Sequence, residues 1–320
     1  MNAPFELTLW QKKQAALLYH FASMNYLQGL QQRMNDLMEF IDPTLDLAQT
    51  QNRDSVLVDP RWGARDTSAN WGRYAGPFLE DFRISVAEDI AKRAFEIYNR
   101  TGAYQCARGM SEYSMQWTTP DEEDKFNTLF RKIYSHASNI DDTMNRHQNS
   151  WKDFSFALAW QEFKGKFPQL PKFQIRADVA AETGKVPVRT GVYVPQDDPH
   201  GSLQFAWTGG GHGQLIESKT FNEIGLDALK AVGRRDLWLN KQAMFEFATS
   251  PKYESILKSD VFLNSLPEIV LAPAAVSRQA FTTRPCKWYY VELVNGEFED
   301  IDDTLMPGPG HCESELTPPL

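Results

Sequence analysis

Apolar positions in the first half of the chain recur three or four residues apart. Leu17, Phe21, Met24, Leu27, Met34, Met38 and Ile41 lie on one face of a helix. The pattern predicts a first helix from about Leu9 to Ile41, with Thr8 as N-cap and Asp42-Pro43 as its end. A second helix is expected from Pro77 to Arg100, closed by Gly102. A third starts at Thr119-Pro120-Asp121-Glu122, which combines N-cap, first-turn proline and capping-box glutamate. Phe126, Phe130, Ile133, Ala137, Ile140, Met144, His147, Trp151, Phe154 and Leu158 then form a heptad seam. A helix from Pro120 to Gly165 would span roughly 65–70 Å, so a bend or break is expected, near Asn149. Three such helices predict an elongated bundle.

"GKFPQLPKF" interrupts this pattern with Gly165, Pro168 and Pro171, and the apolar period then shifts toward two. The expected organisation is a helical bundle domain over 1–167 and an α+β domain over 172–320. "KFQIRADV", "TGVYVPQ", "SLQFAWT" and "QLIESKT" read as strands of a small, mainly antiparallel sheet. "FNEIGLDALKAVG" and "NKQAMFEFATSPKYESILK" read as helices. "KWYYVELVNGEFEDI" reads as a hairpin turning at Asn295-Gly296.

The segment between the first two helices exceeds 30 residues, too long for a simple connector. It carries Trp62-Gly63 and Trp71-Gly72 among Arg61, Arg65 and Arg73. Trp and Arg are enriched at binding hot spots. Trp62 and Trp71 are therefore candidate partner contacts, the alternative being that they plug the loop onto the helices.

Charge adds one feature. The net charge is −9, and Lys287 is the last basic residue. Glu292, Glu297, Glu299, Asp300, Asp302, Asp303, Glu313 and Glu315 follow it. An acidic end without a basic stripe disfavours nucleic acid and suits a basic partner; a solvated acidic surface would look the same. The first residues show no basic region followed by an apolar run, so no secretion signal is expected, and no apolar run is long enough for a membrane span. Three scattered cysteines fit a reducing compartment, so a cytoplasmic location is expected.

"WTGGGHGQL" is the segment most suggestive of chemistry. A phosphate loop would need Gly-Lys-Ser/Thr and a following helix. A dinucleotide fingerprint would need glycine where Gln214 stands. The expected geometry is instead strand, five-residue loop, strand, with His212 at a side-chain-poor tip. No H-E-x-x-H, C-x-x-C or G-x-S-x-G occurs, and none of Cys106, Cys286 and Cys312 stands out as a nucleophile. The expectation is a binding protein with no cofactor, no metal and no catalytic residues.

"AETGKVPVRTGVYVPQDDPHGSLQFAWTGG" (181–210) and "FNEIGLDALKAVGRRDLW" (221–238) resemble immunity proteins of bacterial polymorphic-toxin and type VI secretion systems. The families numbered seventy-one and seventy-two are the most similar. The shared features are the paired Thr-Gly segments, the Val-Tyr-Val-Pro strand end and the Gly-Arg-Arg-x-Leu-Trp helix end. The resemblance implies a cytoplasmic protein that binds and blocks one cognate toxin domain; the mechanism expected here is occlusion of its active cleft. The acidic end suggests that the toxin is basic and nuclease-like. Candidate toxin contacts are Glu297, Glu299, Asp300, Asp302, Asp303, His212, Trp62 and Trp71. The alternatives are an effector-loading adaptor of the same systems, or a hydrolase using His212 or His200.

Overall fold

The computed structural model describes residues 5–145, 151–306 and 308–309. The fold is α+β. Two compact units are present: Phe21–Met144, and Met1–His20 together with Asn145–Leu320. They are termed the helical unit and the mixed unit. The Gly165–Pro171 break marks the change from helix to strand and lies inside the mixed unit.

The expected first helix is two. The first, α1 (Leu9–Ala22), stops at Ser23, which is extended (φ −69°, ψ 151°) and accepts a bond from the Tyr26 amide. The second, α2 (Met24–Thr50), runs through Pro43. A proline inside a helix costs roughly 3 kcal/mol, yet burial on both sides of it, at Leu37, Ile41, Thr44 and Ala48, holds the helix together. The helical unit continues with α3 (Ser68–Tyr74), α4 (Gly76–Lys92), α5 (Ala103–Met110) and α6 (Pro120–Met144). Gly102 does not close α4. It caps the start of α5 at φ +88°. The predicted capping box is present on α6: Glu122 accepts from the Thr119 amide (2.8 Å) and Thr119 Oγ1 from the Glu122 amide (3.3 Å). Phe126, Ile133, Ala137, Ile140 and Met144 are buried along the expected seam.

The long third helix is divided. The mixed unit carries its second part as α7 (Asp153–Phe163). Asn149 and His147 lie outside the described residues, and Leu158 is 48% exposed, so the seam does not extend through it. Next come β1 (Leu170–Glu182), β2 (Gly191–Pro195), β3 (Gln204–Ala206) and β4 (Ser218–Phe221). Four helices follow: α8 (Glu223–Val232), α9 (Lys241–Ala248), α10 (Ser255–Lys258) and α11 (Glu268–Gln279). The last strands are β5 (Phe281–Arg284) and β6 (Lys287–Glu299). The main sheet has the order β1-β6-β2-β3, all antiparallel, and β4 pairs separately with β5.

Two expected hairpins are absent. Asn295-Gly296 does not turn the chain: β6 passes through it as one strand. Gly296 (φ +77°) lies in a bulge where Pro171 faces Phe298 but Phe173 faces Leu293. "SLQFAWT" and "QLIESKT" belong to different sheets. Residues 216–217 bond to the Gln204 side chain, whose Nε2 donates to the Ile216 and Glu217 carbonyls at 3.1 and 3.0 Å. The glycines between them form a short 3-10 turn (Gly209–Gly211), closed by the Trp207 amide donating to the Gly213 carbonyl at 3.1 Å. A Cβ on Gly213 would lie 2.0 Å from the Trp207 oxygen, so glycine is required there.

Candidate functional site

The two tryptophan-glycine pairs have opposite fates. Trp71 is 1% exposed in the helical core, with its ring 5.4 Å from Trp117 and 5.9 Å from Phe126. It plugs the loop onto the helices and cannot meet a partner as expected. Trp62 is 69% exposed, and so, earlier in the same segment, are Val56 (84%) and Val58 (57%). Its loop is built locally. Asp59 and Gly63 bond to each other in both directions (3.0 and 2.8 Å), and the Asp59 carboxylate accepts from the Arg61 amide (2.6 Å) and the Trp62 amide (3.2 Å). Gly63 supplies the positive φ (+65°) that closes the turn. The base is pinned as well. Asp54 accepts from the Ser68 amide (2.7 Å) and hydroxyl (2.8 Å) at the start of α3, and Arg53 forks onto Glu122 (2.6 and 3.3 Å). Arg61 and Arg65 flank Trp62 and are exposed.

The acidic end is not a free charged surface. Glu297 pairs with Lys172 (2.7 Å) and Glu299 with Lys12 (2.9 Å). Asp300 accepts from Gln169 (2.8 Å), and Asp303 pairs with Lys13. Asp302 holds its own turn, accepting from the Thr304 amide (3.0 Å) and hydroxyl (2.5 Å). Upstream, Glu292 is shared by Arg176 (2.9 Å) and Arg189 (3.0 Å). These carboxylates do not act as an unspent steering field; most of their charge is balanced within the mixed unit. His212 stands exposed on the glycine turn. Glu313, Glu315, His311 and Cys312 lie outside the described residues.

The most concentrated polar chemistry lies elsewhere, and sequence reading missed it. Asp153, the first residue of α7, is 2% exposed. Its Oδ1 accepts from Arg234 Nη1 (2.8 Å) and Trp238 Nε1 (2.6 Å), and its Oδ2 from Arg234 Nη1 (2.7 Å) and Trp10 Nε1 (2.7 Å). The Arg234 guanidinium lies 5.5 Å from the Trp10 ring centre and 5.4 Å from that of Phe221. Trp238 adopts φ +71°, costly for a bulky residue, to present its indole N–H. Gly233 (φ +83°) has no room for a Cβ, which would meet Pro309 N at 2.6 Å. The only signal in the sequence was the Gly-Arg-Arg-x-Leu-Trp pattern, and it names neither Asp153 nor Trp10. A carboxylate with both oxygens engaged clamps α1, α7 and the segment after α8 together.

No family model matches the chain, and no curated protein or solved structure matches it either.

The two described thiols are not activated. Burial pushes Cys106 up to about 12 and Cys286 up to about 11, against the usual thiol range. Among the described residues no group of three His, Cys, Asp or Glu side chains could hold a metal ion, and no helix is long and apolar enough to cross a membrane.

Proposed function

We propose that the protein is an immunity protein that binds a cognate antibacterial toxin domain and neutralises it by covering the toxin's active site. The observation that carries this reading is the display of Trp62. Exposed apolar residues close together in a loop are candidates for interaction sites, and a tryptophan whose backbone turn is held before binding loses less entropy when it docks. Val56, Val58 and Trp62 are exposed apolar side chains within seven residues of sequence, with the exposed Arg61 and Arg65 in the same loop. That composition fits a recess on the toxin with carboxylates at its edge. It replaces the basic surface expected from the acidic end, whose charges are largely balanced internally. The segments 181–210 and 221–238, which resemble immunity proteins, support the same function independently of the loop.

The test uses the full chain and each candidate toxin domain encoded by a gene adjacent to its own. Calorimetry should give saturable binding, and co-expression should rescue growth. Trp62→Ala should weaken binding by about 30-fold or more, as for a hot-spot tryptophan, with the melting transition unchanged. An unaltered affinity in this variant removes Trp62 as the anchor. Absence of both binding and rescue by the unmodified chain refutes the immunity reading itself.

A further inference from the structure

A cavity of about 80 Å³ lies within the mixed unit, against the charge centre. Lys13, Lys164, Arg234 and Arg235 contribute cations to its lining, and Trp10, Trp160 and Trp238 contribute aromatic walls. Asp303 is the one carboxylate among its described lining residues. We propose that this cavity is a binding site for an oxyanion, the carboxylate or phosphate of a small ligand, and that the Asp303 carboxylate occupies that role in the present structure.

The two sides of the site are held very differently. Lys13 projects from α1 with its side chain 1% exposed, and its ammonium lies 5.0 Å from the centre of the Trp160 ring. Arg234 is fixed by Asp153. These cations cannot leave without unpacking the unit. A buried ammonium also needs a counter-charge, since an unpaired one costs several kcal/mol. Its counter-charge, Asp303, has a side chain that is 56% exposed and sits on a three-residue 3-10 turn (Asp303–Leu305). That turn is held locally by Asp302 bonding to Thr304. The positive half of the site is rigid and the negative half is a short exposed turn, so an external anion can replace Asp303.

Charge and size agree with this. Asp153 is spent on Arg234 and Asp303 on Lys13, which leaves Lys164 at the rim together with the 65%-exposed Arg235, held only at 3.6 Å by Asp236. A water occupies about 30 Å³ of liquid, so the cavity takes one carboxylate or phosphate group, with the rest of the ligand outside. Aromatic walls lower the local dielectric and strengthen each charge contact.

The experiment is calorimetric titration of the full chain with inorganic phosphate and, separately, with succinate, at constant ionic strength and with chloride as the reference. At least one of the two should bind saturably, and the active one assigns the ligand's anionic group. Asp303→Asn, which removes the competing charge but keeps the shape, should bind it at least about 10-fold more tightly. The double variant Lys164→Gln/Arg235→Gln alters only rim residues and should lose at least about 10-fold. Failure of both anions to bind the unmodified chain overturns the proposal. So does an Asp303→Asn protein that is folded by circular dichroism and binds no more tightly. The readout does not involve the toxin, so it stands or falls apart from the Trp62 interface.

Discussion

Each unit buries an arginine, and the two solve the same electrostatic problem differently. In the mixed unit Arg234 meets a carboxylate, Asp153, that both indole N–H groups also hold. In the helical unit Arg93 is 9% exposed, and its guanidinium lies 3.8 Å from the Tyr98 ring centre and donates to the Ala22 carbonyl at 3.3 Å. Loss of water there depresses the Arg93 guanidinium to about 10, with Tyr98 and Asp89 opposing that fall. The carboxylate of Asp141, also in the helical unit, is not held in an ion pair either. Asp141 accepts from the Thr101 amide (2.6 Å), yet burial raises it to about 6. The mixed unit fixes its elements through a satisfied ion pair. The helical unit relies on apolar packing and tolerates charges that are partly compensated.

The largest effect should come from removing the clamp. Asp153→Ala leaves Arg234 buried without its carboxylate and should cost about 3–5 kcal/mol. Replacing both partners, Asp153→Leu with Arg234→Met, should restore much of that, because no uncompensated charge remains. Calorimetry can follow both variants. Equal losses in the single and double variants would mean that the centre acts through its shape and not its charge.

The second test concerns pH in the helical unit. Folded Asp141 keeps its proton up to about pH 6, whereas the unfolded residue releases it near the ordinary aspartate value of about 4. Between those values the native state binds more protons, so its stability falls as pH rises. The contribution is full below pH 4 and gone above pH 6, at most about 3 kcal/mol. Asp141→Asn should flatten this slope in denaturant titrations at pH 4, 5, 6 and 7. A slope unchanged by the substitution assigns the dependence to other groups.

The smallest effect should be at Arg93. With no carboxylate bonded to it, Arg93→Met removes a desolvated charge and keeps most of the packing against Tyr98. The expected change is within about 1.5 kcal/mol of zero. A loss as large as that of Asp153→Ala would erase the contrast between the units.

The parts of the fold legible in the sequence are those with local causes. The Thr119–Glu122 capping box starts α6 where expected, and Asn222 caps α8 by accepting from the Gly225 amide at 3.2 Å. Ser23 was not legible as a break, because the apolar stripe continues across it. Asn295-Gly296 carries a strong hairpin signal, but β6 gains more by staying between β1 and β2 than by turning. The Trp62 side of the candidate interface was anticipated, whereas the Asp153 centre was not.

What the sequence determined by itself is therefore the local grammar: capped helices, period-two strands, and glycine at turns that need positive φ. These rest on interactions a few residues long. Only the tertiary structure decided that Trp71 is core while Trp62 is displayed, although both precede a glycine in the same segment. It alone also decided the charge partners. Asp153 meets Arg234 across 81 residues and Trp10 across 143, and Lys13 finds Asp303 across 290. Burial and ion pairing depend on which surfaces the folded chain brings together, and no spacing along the chain encodes that directly.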